Sequence, residues 1–75
     1  MTEIIRLDMR GVRCPMNYIQ TKLRLDELAA GQVLEVLVDD GEAVRGIPLG
    51  FQEDGHEVLS VAPAESGHRI VIRKG

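Results

Sequence analysis

The chain has a single cysteine, Cys14, in the stretch GVRCPMNYIQTKL. Proline is favoured in the first helical turn, because its missing N–H would have no partner there in any case. Pro15 therefore predicts that a helix begins directly after Cys14, which places the cysteine at the N-cap. Unpaired amides and the helix dipole stabilise a thiolate at such a position and lower the pKa of the thiol. Arg10 and Arg13 would add to this positive field by pointing inward, so the position favours a reactive sulfur.

A lone cysteine is more often a small buried apolar residue, and that alternative stays open here. If the sulfur is reactive, the sequence limits its reactions. Metal binding lacks ligands, because His56 and His68 are distant and are interpreted as surface residues that open strands. Dithiol redox chemistry needs a second cysteine, and a cysteine–histidine protease needs cleft walls that 75 residues hardly provide. A group carrier remains, in which the sulfur accepts a group from one protein and hands it to another.

The acidic residues Asp39, Asp40 and Glu42 could be offered as a metal or acid–base site. The sequence DDG within this stretch is also a typical turn signal. We favour the turn, with Asp40 capping the segment that follows and the other two carboxylates solvated. The acidic cluster is therefore not predicted to carry chemistry.

Regular elements must hold the cysteine in place, and the sequence predicts them on both sides. Residues 3–8 have the composition of a short strand, and the glycine-containing stretch 9–13 indicates a loop. Helical character runs over 15–30, and Gly31 is the expected stop, because glycine tolerates the left-handed conformation just past a helix. Residues 32–39 are rich in Val and Leu and predict a second strand.

The segment 42–55 has helical character, but Pro48 interrupts it. A proline in a helix interior removes one hydrogen bond and clashes with the preceding turn. We therefore predict that a fresh helix starts with Pro48 in its first turn and ends at Gly55.

Two more strands, 56–62 and 68–74, are joined by turn-forming residues and predict an antiparallel hairpin. The element order is then β-α-β-α-β-β, with the first two strands parallel through a right-handed crossover. This order predicts an α/β (α+β) two-layer sandwich, in which two helices cover one face of a four-stranded mixed sheet. The length allows one domain, which we expect to span residues 1–75.

Composition excludes several classes of protein. The formal net charge is −3 and there are only two aromatic residues, which argues against direct nucleic-acid binding. No apolar run approaches the roughly 18 residues that a membrane span needs. The first residues lack the layout of a secretory signal, and a lone cysteine forms no internal disulfide. We therefore expect a cytoplasmic protein.

The stretch LDMRGVRCP resembles the Leu-Asp-x-x-Gly-x-x-Cys-Pro signature of the TusA/SirA family of small sulfur carriers. The resemblance continues through GQVLEVLVDD, through the pair Ile47-Pro48 that opens the second predicted helix, and into RIVIRKG. It covers nearly the whole chain in the same element order. The residues of this chain that carry the signature are Leu7, Asp8, Gly11, Cys14 and Pro15.

The resemblance implies a fold and a function. The family fold is the two-layer sandwich expected above, and the family cysteine carries sulfur as a persulfide. Cys14 would then bear the persulfide, while Asp8, Gly11, Arg13 and Pro15 would shape the loop that presents it. The implied partners are a donor protein, either a cysteine desulfurase or a rhodanese-like protein, and an acceptor protein. Neither a cofactor nor a metal is expected, and the chain would be more a relay protein than a stand-alone sulfurtransferase.

One position departs from the family pattern, which usually has Cys-Pro-x-Pro where this chain has Cys14-Pro15-Met16-Asn17. Unlike proline, asparagine has a backbone N–H. Our hypothesis is that Asn17 donates this N–H to the sulfur of Cys14 and lowers its pKa further. In the alternative interpretation, the position simply tolerates asparagine.

The first helix has more apolar residues than one buried face requires. At about 100° per residue, Tyr18, Thr21, Leu25 and Leu28 share one side. The family resemblance implies that Tyr18, Leu25 and Leu28 are the core residues. Met16, Ile19 and Leu23 lie on nearly the opposite side and predict an apolar docking surface that runs away from Cys14. Burial of these three under the second helix is the alternative.

A binding module of another class, regulatory or structural, with an incidental cysteine, is the second functional hypothesis. A weaker third is RNA binding through the basic tail residues Arg69, Arg73 and Lys74.

Overall fold

A four-stranded mixed sheet forms one layer of the protein. Its strands are β1 (Ile4–Asp8), β2 (Val33–Val38), β3 (Glu57–Pro63) and β4 (His68–Arg73). In this computed structural model, which describes residues 4–13 and 15–75, the spatial order is β1-β2-β4-β3. β1 and β2 pair in parallel, whereas β4 pairs antiparallel with both β2 and β3. The predicted parallel pair and closing hairpin are therefore confirmed.

One face of the sheet forms one side of the hydrophobic core. Successive side chains of a strand point to opposite faces, and in β2 the alternate residues Leu34, Val36 and Val38 are fully buried. In β4, Ile72 lies opposite Leu34 and Ile70 lies opposite Val36, and both isoleucines are also fully buried. These five aliphatic side chains form the surface on which the helices pack.

Two helices, α1 (Met16–Asp26) and α2 (Ala43–Glu53), pack on this face of the sheet. Leu25 from α1 and the pair Ile47 and Phe51 from α2 belong to the same buried cluster as the strand residues. The helices contact each other as well as the sheet. Neither helix, in the part of the chain described, is long and apolar enough to cross a membrane. The element order β-α-β-α-β-β and the two-layer architecture are those predicted.

α1 ends at Asp26, four residues before the predicted end at Ala30. The amides of Glu27 and Leu28 bond to carbonyls three residues back, which closes the helix with a tight turn. The Lys74 ammonium, which follows β4, then donates to the carbonyls of Asp26 and Leu28 at 3.1 and 2.7 Å. Lys74, which is distant in the sequence, therefore takes the place of further helical N–H groups at these two carbonyls.

α2 runs through Pro48 without interruption, so the predicted fresh start at this proline is wrong. An interior proline costs about 3 kcal/mol. Ile47 and Phe51 lie one turn apart and are 2% and 0% exposed. Burial of two such side chains is worth about 3–6 kcal/mol, which offsets the cost of the proline. Ala43 and Val44 also pack against the core, so the first turn of α2 is stabilised as well.

Candidate functional site

The loop that follows β1 is held by an ion pair. The Asp8 carboxylate accepts hydrogen bonds from the Arg10 backbone N–H at 3.0 Å and from two nitrogens of its guanidinium at 2.9 and 2.8 Å. These bonds lower the pKa of Asp8 to about 2, and the bonds from the Arg10 side chain have the largest effect. The Arg10 charge is therefore paired with Asp8, which reduces the positive field that Arg10 was expected to add near Cys14.

A second tie joins the same loop to the end of β2. The Asp39 carboxylate accepts the Gly11 amide at 2.7 Å, and the Met9 amide extends the β1–β2 pairing by donating to the Leu37 carbonyl at 2.8 Å. Gly11 has a φ of +82°, a conformation that side chains with a Cβ rarely adopt. The Val12 amide closes the turn on the Met9 carbonyl at 3.1 Å. The loop therefore reaches residue 13 in one defined conformation.

Helix α1 begins one residue later than predicted. An N-cap carbonyl accepts the first intrahelical bond, and this bond runs from the Ile19 amide to the Pro15 carbonyl at 3.0 Å. The Tyr18 amide, one residue before, donates to the Asn17 side-chain oxygen Oδ1 at 2.7 Å. The N-cap is accordingly Pro15, and the predicted N-cap position of Cys14 is wrong.

Asn17 is held by hydrogen bonds at both its backbone and its side chain. Its backbone N–H donates to the Arg13 carbonyl at 3.1 Å, and the predicted bond to the sulfur of Cys14 lies outside the described residues. The side chain is only 5% exposed, and its oxygen accepts the Tyr18 amide. These contacts make Asn17 part of the packed structure at the start of α1.

The cysteine itself, Cys14, lies outside the described residues. Its chain neighbours Arg13 and Pro15 are exposed, as is Met16 at the start of α1. The two halves of the site are therefore a hydrogen-bonded loop that ends at residue 13 and a helix that is preceded by the exposed Pro15 and begins with the exposed Met16.

Two clefts open on either side of Asn17, between this segment and the start of α2. The first, which we call the apolar cleft, has a volume of about 240 Å³ and is lined by Pro15, Tyr18, Ala43, Gly46 and Ile47. The second, the polar cleft, has a volume of about 430 Å³ and is lined by Gly11, Arg13, Asp39 and Asp40 among others. Asn17 and Glu42 line both. Arg13 and Pro15, the chain neighbours of Cys14, thus line different clefts.

Tyr18 joins the two helices. Its ring stacks on Phe51 with centroids 4.8 Å apart, and its hydroxyl donates to Asp54 at 2.8 Å. Burial, followed by this hydrogen bond, raises the pKa of Tyr18 to about 12. The ring fits because residue 50 is a glycine: a Cβ there would lie 2.5 Å from the ring carbon Cε2.

The outer side of α1 is apolar and exposed. Met16, Ile19 and Leu23 are 47%, 42% and 60% exposed, and the second helix does not bury them. On the opposite side, Leu25 and Leu28 are in the core and Tyr18 packs against it. Exposure leaves these three side chains available for docking, which remains a prediction.

The acidic residues after β2 have contacts that we did not predict. The Asp40 carboxylate accepts a hydrogen bond from Nδ1 of His68 at 2.6 Å, in the tautomer that has its proton on this nitrogen. The N-cap of α2 is Glu42, without a side-chain bond to the helix. The predicted capping role of Asp40 is therefore wrong. Asp39 binds Gly11, so it is not simply solvated. In ranges 4–13 and 15–75, no three His, Cys, Asp or Glu side chains lie together to hold a metal ion.

The main residue that the sequence analysis missed is Asp39. The signal was present, because parallel β1 and β2 end at the same edge of the sheet, with Asp8 opposite Leu37. A carboxylate just after β2 therefore lies near a loop just after β1. Gly46 was missed as well, since nothing in the sequence separates it from Gly50.

The fold and the loop define a small two-layer protein of β-α-β-α-β-β order, with a Cys-Pro pair between β1 and α1. The sequence matches the family described as Sulfurtransferase TusA over residues 5–74. The chain belongs to this family, and the resemblance of LDMRGVRCP is confirmed.

The names of related proteins agree with this family assignment. A proposed sulfur carrier protein of Archaeoglobus fulgidus is 45% identical over 69 residues, which cover 91% of this chain and 78% of that protein. A proposed sulfur carrier protein of Methanocaldococcus jannaschii is 38% identical over 69 residues, 92% of each chain. The crystal structure of a SirA-like protein from Desulfitobacterium hafniense has a TM-score of 0.81 at 27% identity, and the match covers 97% of this chain and 99% of that one.

Proposed function

We propose that this chain, as one domain over residues 1–75, is a cytoplasmic sulfur carrier that holds sulfane sulfur as a persulfide on Cys14. The observation that carries the proposal is the position of the only cysteine in a member of this family. It lies between a loop held by Asp8 and Asp39 and the exposed start of a helix. The names of the relatives support sulfur carriage in general.

The transfer step needs no outside oxidant or reductant. The Cys14 thiolate attacks the terminal sulfur of a persulfide on the donor protein, and the bond between the two donor sulfurs breaks. The donor leaves as a thiolate, and Cys14 becomes the persulfide. An acceptor thiolate then attacks the terminal sulfur in the same way and regenerates Cys14. The donor would be a cysteine desulfurase or a rhodanese-like protein.

The polar surroundings favour the anionic sulfur in a limited way. Position 14 precedes the N-terminus of α1, and a helix N-terminus favours nearby negative charge. Arg13 is adjacent and exposed, and it forms no ion pair within ranges 4–13 and 15–75. Arg10 adds little, because Asp8 offsets its charge.

Docking would use the exposed side of α1. Met16 is a flexible side chain that adapts to different partners, and Ile19 and Leu23 extend the apolar surface along the helix. A carrier must fit both a donor and an acceptor, which suits such a surface.

Mass spectrometry tests the proposal directly. The protein is incubated with a cysteine desulfurase and cysteine, and the intact mass is measured. We expect the gain of one sulfur atom on the wild type and no gain on Cys14→Ser. Ile19→Glu should slow sulfur uptake from the desulfurase without changing alkylation of Cys14 by iodoacetamide. Absence of any gain with both desulfurase and rhodanese donors would contradict the proposal and favour the second candidate, a protein-binding module of the same fold.

A further inference from the structure

The apolar cleft is a feature that sulfur carriage alone does not require. Its walls are mostly carbon, from Pro15, the Tyr18 ring, Ala43 and Ile47. At about 240 Å³ it has room for one leucine, methionine or phenylalanine side chain, but not for an extended segment of another protein. The size and lining therefore indicate a single apolar group as the occupant.

The cleft is open because residue 46 has no side chain. A Cβ at Gly46 would have no atom within 4 Å, whereas one turn later the space beside Gly50 is filled by the Tyr18 ring. Glycine in a helix interior is less stable than alanine. The opening is thus kept at a cost to the helix, although no atom of residues 4–13 and 15–75 fills the space beside Gly46.

The position of the cleft connects it to position 14. Pro15 is part of the lining, and consecutive Cα atoms are about 3.8 Å apart. A partner sulfur that reaches Cys14 therefore carries the side chains next to it over the cleft. A group seated there would orient the partner cysteine for the transfer.

The rim of the cleft adds a charge. Glu42 lines both the apolar and the polar cleft and is exposed. Over residues 4–13 and 15–75 it forms no ion pair, and it does not cap α2 with its side chain. A cationic residue of the partner would complement this carboxylate.

We propose that the apolar cleft is a specificity pocket for one aliphatic or aromatic side chain that lies next to the reactive cysteine of the partner protein. A lysine or arginine of the partner faces Glu42. The inference rests on the proposed function, since it assumes that partner cysteines approach Cys14.

The test uses small thiol reagents in place of partners. Second-order rates of Cys14 alkylation are measured with N-ethylmaleimide and N-cyclohexylmaleimide, and their ratio is compared with that for glutathione. We expect the ratio of the cyclohexyl rate to the ethyl rate to be about fivefold higher for the protein than for glutathione, because the cleft partly buries the extra methylene groups. Gly46→Leu fills the cleft and should abolish the preference. Gln52→Leu, the same new side chain at an exposed position of α2 outside the cleft, should retain it.

The charge is tested with N-(aminoethyl)maleimide, whose rate relative to N-ethylmaleimide should fall by about twofold in Glu42→Gln. Thermal unfolding of each variant confirms that it is folded. Equal maleimide preferences for the wild type and Gly46→Leu would overturn the inference, and sulfur uptake in the desulfurase assay would show that the proposed function still stands. A Cys14 inert to both reagents would overturn the inference together with the proposed function.

Discussion

Helices α1 and α2 have 11 residues each and pack on the same sheet, yet they distribute apolar residues differently. On α2, Ile47 and Phe51 are buried and one large apolar residue, Leu49, is exposed. On α1 three large apolar residues are exposed besides those in the core. α2 is therefore a packing element, whereas α1 has an additional face whose apolar character internal packing does not explain.

The contact between the helices shows the same division. The Tyr18 ring from α1 occupies the space that Gly50 leaves on α2, whereas no described atom lies within 4 Å of a Cβ placed at Gly46, one turn earlier. The helices are therefore closely packed at Gly50, and the apolar cleft lies between them at Gly46.

The largest effect should come from substitutions on the two sides of α1. Leu25→Ala removes a fully buried side chain and should destabilise the protein by about 3 kcal/mol. Leu23→Ala removes a side chain that is 60% exposed and should change the free energy of unfolding by less than about 0.5 kcal/mol. Urea denaturation followed by circular dichroism measures both. Similar losses for the two variants would mean that the outer face of α1 is part of the packing after all.

A smaller effect should separate the two glycines of α2. Gly50→Ala forces a Cβ to within 2.5 Å of the Tyr18 ring, and overpacking of this kind costs about 1–3 kcal/mol, which exceeds the helix-propensity gain of about 1 kcal/mol. Gly46→Ala meets no atom and should stabilise the protein by about 0.5–1 kcal/mol. The same denaturation experiment applies, and a gain in stability for Gly50→Ala would show that the helices are not in close contact there.

The smallest effect should come from the hydroxyl that links the helices. Burial and the Asp54 hydrogen bond raise the pKa of Tyr18 to about 12, so the folded state favours the neutral phenol. The resulting stability is fully present below the unfolded pKa of about 10 and is lost as the pH rises through about 12. Tyr18→Phe should lack this alkaline loss and should cost about 1 kcal/mol or less at neutral pH.

Tyr18 is the only tyrosine, so its titration is visible in the near-ultraviolet absorbance of the phenolate. Asp54→Ala serves as the control: its Tyr18 pKa should fall below the wild-type value yet stay above the ordinary one, because burial is the larger cause. If Tyr18 of the wild type titrates at its ordinary pKa, the contact between Tyr18 and Asp54 does not form in solution.

Much of the fold could be predicted from the sequence, for identifiable reasons. The β2 stretch VLEVLV is bounded by turn residues, and its β-branched content fits only a buried strand. The signature residues Leu7, Asp8 and Gly11 placed a loop before the cysteine, and the structure has that loop. Local pattern and family resemblance agreed there, because strand and turn preferences act over only a few residues.

The site was harder to predict, because its contacts join distant parts of the chain. Asp39 binds Gly11 across 28 positions, and Tyr18 binds Asp54 across 36. Asn17 could be recognised as a departure from the family pattern, but not as the residue whose side-chain oxygen accepts the Tyr18 amide. The prediction at Pro48 was wrong because the cost of a proline inside a helix can be read from the sequence, whereas the burial of Ile47 and Phe51 that offsets this cost cannot.

By itself, the sequence determined the order of the elements, the single cysteine and the apolar residues of both sides of α1, because periodicity and turn residues are local properties. Only the tertiary structure decided which apolar side of α1 is covered, where the helices separate to leave the apolar cleft, and which carboxylate ties the loop before Cys14. Those outcomes depend on packing and hydrogen bonds between segments that meet only when the sheet has formed.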